Sequence, residues 1–381
     1  EKIISPDLTL TWVMQSLGAS SGLIGMLVPI KDAGSLLPQL VVSGKIRSYS
    51  IRKYFWVSAA TLQGLLWLLA AWLIDQRVEA LPVFLLVLLG LFSAASGVGS
   101  ISFKDVLAKT IDKKVRGQLL SYRSTFGGIL ALLAGLLLVF YIRETEDQYL
   151  FSLLFLTAGI LWLVAALLFA LINEQPGAQE GGRTPWQETQ NGFHILKKDL
   201  NFRRFLLVRA LLMSIPLVQP FFIVQAKSLG DSAWSFLGLL VITSGLAQVL
   251  SSPIWGKIAD RFLPLLIRLS SGFSILSIAL AGAFMLGFEG VSVYYFLPVL
   301  FINGVAYAGA RLARKTYLVD YAPDDDRPTY VSVANTAIGL FTLVAAGFGF
   351  IDQWLGNAYL YIFFSATLLT AILLSLKLKK V

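Results

Sequence analysis

The chain has 381 residues, 56% of them hydrophobic and only 14% charged, with a mean hydropathy of +0.74; a water-soluble domain needs a more polar surface, so an integral membrane protein is expected. The formal net charge of +9 is spread over alternate short connections rather than gathered in one patch, which argues against nucleic-acid binding and for membrane topology. With no cysteine and a single histidine, His194, the sequence excludes disulfides and thiolate or histidine-built metal sites.

The apolar runs are continuous and rich in Leu, Ala, Phe and Gly, a pattern of membrane helices and not of a β-barrel. Residues 1–15, broken by Ser5-Pro6, are expected to be the tail of a first helix, most of which would precede residue 1. The first whole helix is placed at 18–42, with Pro29, Pro38 and, near its middle, Lys31 and Asp32. Further helices are expected at 54–74, 81–103, 116–141 and 149–172. The one sizeable polar interruption runs from Asn173 to Arg204. In it, Thr184-Pro185-Trp186-Gln187 reads as the capped start of a short amphipathic helix at the membrane surface, with His194 an exposed member. Six more helices follow at 204–227, 232–255, 264–287, 291–314, 328–351 and 357–377, which makes eleven, or twelve with the first restored.

The two halves repeat. Ser16-Leu17-Gly18 recurs as Ser228-Leu229-Gly230 and Gly44-Lys45-Ile46 as Gly256-Lys257-Ile258, both 212 residues apart, while Arg116 and Arg327, like Gly128 and Gly339, are 211 apart. A constant offset marks a duplicated multi-helix unit and divides the chain into 1–173, a linker at 174–203, and 204–381. Lys and Arg concentrate on one side of this alternation, at Lys45, Arg47, Arg52, Lys53, Lys109, Lys113, Lys114, Arg116, the linker, Lys257, Arg261, Arg314, Lys315, Arg327 and the C-terminal lysines, while the opposite loops contain only Arg77, Arg143 and Lys227. That side is expected to be cytoplasmic, in an inner membrane, together with the C-terminus.

Gly256-Lys257-Ile258-Ala259-Asp260-Arg261, between two long apolar helices, resembles the cytoplasmic-loop signature of the major facilitator superfamily. Gly256, Ile258, Asp260 and Arg261 match it; Phe262-Leu263-Pro264 departs from its continuation, and the first-half copy at Gly44 lacks the acidic member. Together with the six-plus-six helices and the repeat, the resemblance covers the whole chain. It implies an all-α fold of two pseudo-twofold-related bundles, a solute path between them, and a conformational latch of Gly256, Asp260, Arg261 and Arg327. Drug antiporters of this superfamily carry a Gly-Pro signature in the fifth helix that residues 124–136 lack.

Charged and polar residues within the membrane mark function, because they are costly there. Lys31 and Asp32 head the candidates, as anion contact and proton carrier. Being adjacent, they are expected to point about 100° apart and to need separate partners. Arg123 is the next candidate. Pro216-Leu217-Val218-Gln219-Pro220 is expected to interrupt its helix and present Gln219 to solute. The resemblance adds Asn303, Tyr307 and Arg311 on the tenth helix of the full count. Small-residue clusters at 93–100, at Gly127-Gly128 with Ala134-Gly135, and at Ala345-Ala346-Gly347 with Gly349 read as close helix contacts. No nucleotide loop, metal-ligand spacing or nucleophile–base pair appears, so neither cofactor nor enzymatic activity is expected. The expected function is secondary transport of a small solute, proton-coupled and outward, by a monomer; the competing reading is a non-transporting sensor or assembly factor.

Overall fold

The computed structural model describes residues 4–141, 148–177, 194–229, 234–259, 262–286, 292–323 and 327–379. Among these every regular element is helical. The first half holds α1 (Thr9–Ser16), α2 (Ser21–Gly25), α3 (Leu27–Arg47), α4 (Lys53–Asp75), α5 (Leu81–Thr110), α6 (Lys113–Tyr141) and α7 (Gln148–Ala170). The second holds α8 (Leu200–Leu211), α9 (Ser214–Ser228), α10 (Trp234–Ala259), α11 (Leu263–Met285), α12 (Phe296–Tyr321), α13 (Arg327–Ala345), α14 (Gly349–Leu355) and α15 (Asn357–Ser375). Nine stretches among the described residues are long and apolar enough to cross a membrane. The most apolar, Tyr149–Ala170, is only 22% buried, so most of its apolar side chains face outward, an arrangement stable only in lipid.

Several helix boundaries depart from the sequence pattern, for local reasons of proline placement and capping. The helix expected at 18–42 is split at Met26, because Pro29 has no N–H to offer the Gly25 carbonyl, and α3 then runs through Gly44 to Arg47. The helix expected to start at 204 starts at Leu200, where the Asp199 carboxylate accepts from the Phe202 N–H at 2.8 Å. It breaks at Leu212-Met213, one turn before Pro216 rather than between the prolines, and α9 absorbs Pro220. The helix expected to end at 314 continues to Tyr321 and stops before Pro323, so Arg314 and Lys315 belong to a helix and not to a connection. Gly256 likewise lies inside α10, with open space around it, and makes no helix exit.

Within the first half α4 packs on α7 and α5, and α3 on α5; within the second α11 packs on α12 and α15, and α10 on α12. The 93–100 cluster is a packing seam, since a Cβ on Gly97 would lie 2.6 Å from the Ser35 carbonyl oxygen of α3. Gly127 and Gly128 face open space instead, contrary to the contact expected of them.

Between the halves the principal pairings are α6 with α10 and α3 with α13, joined by α2 with α14. At two places backbones touch. A Cβ on Gly25 would lie 2.6 Å from Cα of Gly349, and one on Gly238 would lie 2.5 Å from the carbonyl oxygen of Gly135. Gly25 and Gly238, like Gly135 and Gly349, stand near the repeat offset, so the two crossings are one contact seen twice through the pseudo-twofold. Both lie toward the end of the molecule that carries Gly18 and Gly356, opposite the basic end. Lys227 joins them there, donating to Ser16 Oγ and lying 4.7 Å over the ring of Trp12, which in turn packs 5.8 Å from Phe236.

At the basic end each half is tied by a carboxylate. Glu174, its side chain fully buried, accepts from the backbone N–H groups of Arg52 and Lys53 at the start of α4 and from Lys109 Nζ at 2.8 Å. Lys109 and Arg52 also pair with Asp105, so the α3–α4 connection, α5 and the segment after α7 are locked together. In the second half Asp199 accepts from Tyr321 and Tyr330. Burial, then the bond to this carboxylate, pushes the Tyr321 hydroxyl up to about 12, so it remains a donor at neutral pH.

Two outcomes are expected. Gly25→Ala and Gly238→Ala, forcing methyls against backbone, destabilise the detergent-purified protein by about 1–3 kcal/mol, whereas Gly128→Ala, with open space, is neutral or stabilising by up to about 1 kcal/mol; thermal unfolding reads both signs. Glu174→Ala, which leaves the backbone N–H groups of Arg52 and Lys53 without their carboxylate and Lys109 with Asp105 alone as its acidic partner, costs about 2–3 kcal/mol in the same measurement.

Candidate functional site

Three helices bring charge to the middle of the molecule: α3 from the first half, α8 and α12 from the second. Lys31 and Asp32 lie ten and eleven residues past the start of α2, about 15 Å from that end at 1.5 Å per residue. Their side chains are still 34% and 24% exposed. Contrary to the expectation of separate partners, Lys31 Nζ meets Asp32 Oδ1 at 3.4 Å. The four-carbon lysine stem is flexible enough to fold back across the turn.

Gln219 and Asn303 are buried and hydrogen-bonded between helices. Asn303 is completely buried: its Oδ1 accepts from Ser274 at 2.9 Å and Ser277 at 3.4 Å, and its Nδ2 donates to the Ile215 carbonyl at 3.1 Å and to Gln219 Oε1 at 3.4 Å. All four hydrogen-bonding positions of the amide are thereby used. Gln219, 4% exposed, donates from Nε2 to Asp7 Oδ2 at 3.3 Å. Asp7 and Gln219 stand 212 residues apart, so equivalent positions of the repeat meet across the pseudo-twofold. Asp7 in turn lies in the electrostatic field of Lys31 and Asp32.

One and two turns beyond Asn303 on α12 come Tyr307 and Arg311, with Arg314 one turn further. Arg311 is exposed; Arg314 is half-buried and directs Nη1 to the thioether of Met213 at 2.6 Å. Arg209, one turn before Met213, donates from Nη2 to Asn335 Oδ1 of α13 at 2.9 Å, while its buried Nε has no partner among the described residues. Arg209 and Arg314 act on each other electrostatically, and Asp32 of the first half acts on both. Lys315 feels Arg311, Arg314, Arg209 and Lys104 of α5 in the same way.

Arg209, Asn335, Arg314 and Asp7 were not singled out from the sequence. Arg209 carried the same signal as Lys31, a lone charge in an apolar run, but its place near the start of a helix resembled a boundary residue. Arg314 was hidden by ending its helix too early. Of the remaining candidates, the side chains of Arg123 and Arg327 and the residues Asp260 and Arg261 lie outside the described residues. Of the latch residues Gly256 alone is fully described, and a Cβ added there would meet nothing within 4 Å. The start of the linker helix at Thr184 also lies outside them; residues 194–198 are helical and His194 is exposed.

A groove of about 370 Å³ opens elsewhere, between α8 and α13, lined by Leu206, Leu207, Ala337, Ile338 and Phe341 with Arg203 at its edge. It contains none of the charged cavity residues. Among the described residues no three metal-ligating side chains come together.

The fold is shared with solved transporters. A D-xylose–proton symporter superposes with a TM-score of 0.73 at 17% identity, covering 94% of this chain and 88% of the other. The nucleoside transporter NupG gives 0.70 at 12%, covering 97% and 93%. A POT family transporter in complex with a peptide conjugate gives 0.69 at 14%, covering 95% and 88%. Uncharacterized proteins of Mycobacterium tuberculosis and Mycobacterium bovis are 27% identical over 176 residues, 45% of this chain. The match spans about a third of the length of these curated relatives, 34%. The family model described as Major Facilitator Superfamily matches residues 1–234 and 220–381. A match running from one end of the chain to the other, on the fold its sequence pattern required, makes this chain a member of the major facilitator superfamily.

Proposed function

We propose that the protein is a secondary transporter that moves a small solute across the membrane by alternating access. The observation that carries this reading is the asymmetry of closure. Paired glycine crossings bring the halves into contact toward one end, while the Lys31 and Asp32 side chains at mid-depth remain partly exposed. Such a state is one of the two that rocking of bundle 1–173 against bundle 204–381 about a central site would produce, with 174–203 as the connection. With the basic end assigned to the cytoplasm by the positive-inside rule, this is the cytoplasm-facing state of an inner-membrane monomer.

The finer reading is proton-coupled efflux through Asp32. It is exposed enough to exchange protons, and its ion pair with Lys31 exists only while it is ionised. Protonation would free Lys31 and change the charge offered to a solute, which couples the two events through one pair. Export is assigned by fold-level analogy.

The reading is tested in proteoliposomes containing the full chain and a panel of sugars, nucleosides, peptides and organic acids. Gradient-dependent flux of one class is expected, and Asp32→Asn is expected to abolish its dependence on a proton gradient while leaving solute exchange intact. Flux that ignores the proton gradient would remove the coupling. Absence of flux for every class would favour a sensor or assembly role.

A further inference from the structure

Resting on the transporter reading, we infer that the solute is a small organic anion carrying two or more negative charges, gripped between Arg209 on α8 and Arg311 and Arg314 on α12. Three observations converge. The first is an excess of fixed positive charge. The ion pairs among the described residues join Lys31 to Asp32, and Arg52 and Lys109 to Asp105 and Glu174; none includes Arg209, Arg311, Arg314 or Lys315. Asp32 is the carboxylate whose field reaches Arg209 and Arg314, and it is already engaged by Lys31.

The second is position. Arg209 lies nine residues inside Leu200 and Arg314 seven inside Tyr321, about 14 Å and 10 Å from the basic end. Topology-setting arginines snorkel to the headgroups. Arg314 turns instead to Met213, and Arg209 to Asn335, both inside the second bundle.

The third is unused capacity. Among the described residues the buried Nε–H of Arg209 has no acceptor, and a thioether is a weak partner for the Arg314 guanidinium. Guanidinium stays charged in any ordinary environment and presents donors in a planar fork that fits a carboxylate or a phosphate. A neutral solute would leave this excess uncompensated at a depth where isolated charge is expensive, and a single negative charge would leave most of it. A dianion supplies what the site lacks, and Tyr307, near Arg314, adds a hydroxyl for the rest of the molecule.

The test is ligand binding to the full chain in detergent, followed by thermal shift and calorimetry, with sn-glycerol 3-phosphate, succinate and citrate against glycerol and xylose. At least one anion is expected to stabilise saturably. Arg209→Gln and Arg314→Gln should each weaken its affinity about 10-fold or more, Arg209→Lys less, and Arg268→Gln, outside the cavity, not at all. Should the Gln variants not fold, the unmodified chain still decides, because succinate must bind about 10-fold more tightly than its singly charged half-amide. Failure of all three anions to bind, or undiminished binding by well-folded Gln variants, overturns the inference. Gradient-driven flux of a neutral solute that Arg209→Gln and Arg314→Gln leave unchanged also overturns it, while the transporter reading stands. Arginine-dependent anion binding without gradient-driven flux upholds the anion site and sinks the transporter reading.

Discussion

The architecture rests on two places where backbones touch without side chains between them, Gly25 against Gly349 and Gly135 against Gly238. In lipid the hydrophobic effect does not push helices together, so close approach has to come from packing, and packing is tightest where a residue has no Cβ. Because the two crossings are related by the repeat, they act as a symmetric pair. Placed toward one end, they hold the two halves in direct backbone contact there.

The cavity is electrostatically lopsided. The first half contributes a nearly neutral Lys31–Asp32 pair, while the second contributes arginines on two helices with neutral partners. By contrast, the polar residues nearest the pseudo-twofold, Asp7, Gln219 and Asn303, are consumed in holding helices together. One layer of the molecule therefore spends its polar groups on cohesion and the layer below keeps them available. The division follows from burial. Asn303 is enclosed by α9 and α11 and must satisfy its amide internally, whereas Arg311 faces water.

Membership of the major facilitator superfamily gives the two-bundle plan, but it does not give the solute. Structures with the same fold, at 12–17% identity, are those of xylose, nucleoside and peptide transporters, a range that shows how little the fold restricts chemistry. What distinguishes this chain is the set of side chains around the cavity.

The sequence by itself determined the helical membrane class, the placement of most helices and the internal repeat, because long apolar runs and a fixed repeat offset are one-dimensional properties. It located Lys31 and Asp32 at mid-depth for the same reason. It misjudged the helix ends at Met26, Leu212 and Tyr321, where a proline two to four residues downstream, and not hydropathy, sets the boundary. Tertiary structure alone decided which polar residues are satisfied and which are left over. Gln219 looked available and is bound to Asp7 and Asn303; Arg209 and Arg314 looked peripheral and are turned inward. A side chain's availability depends on partners more than eighty residues away, and those distances exist only once the halves have met at their glycines.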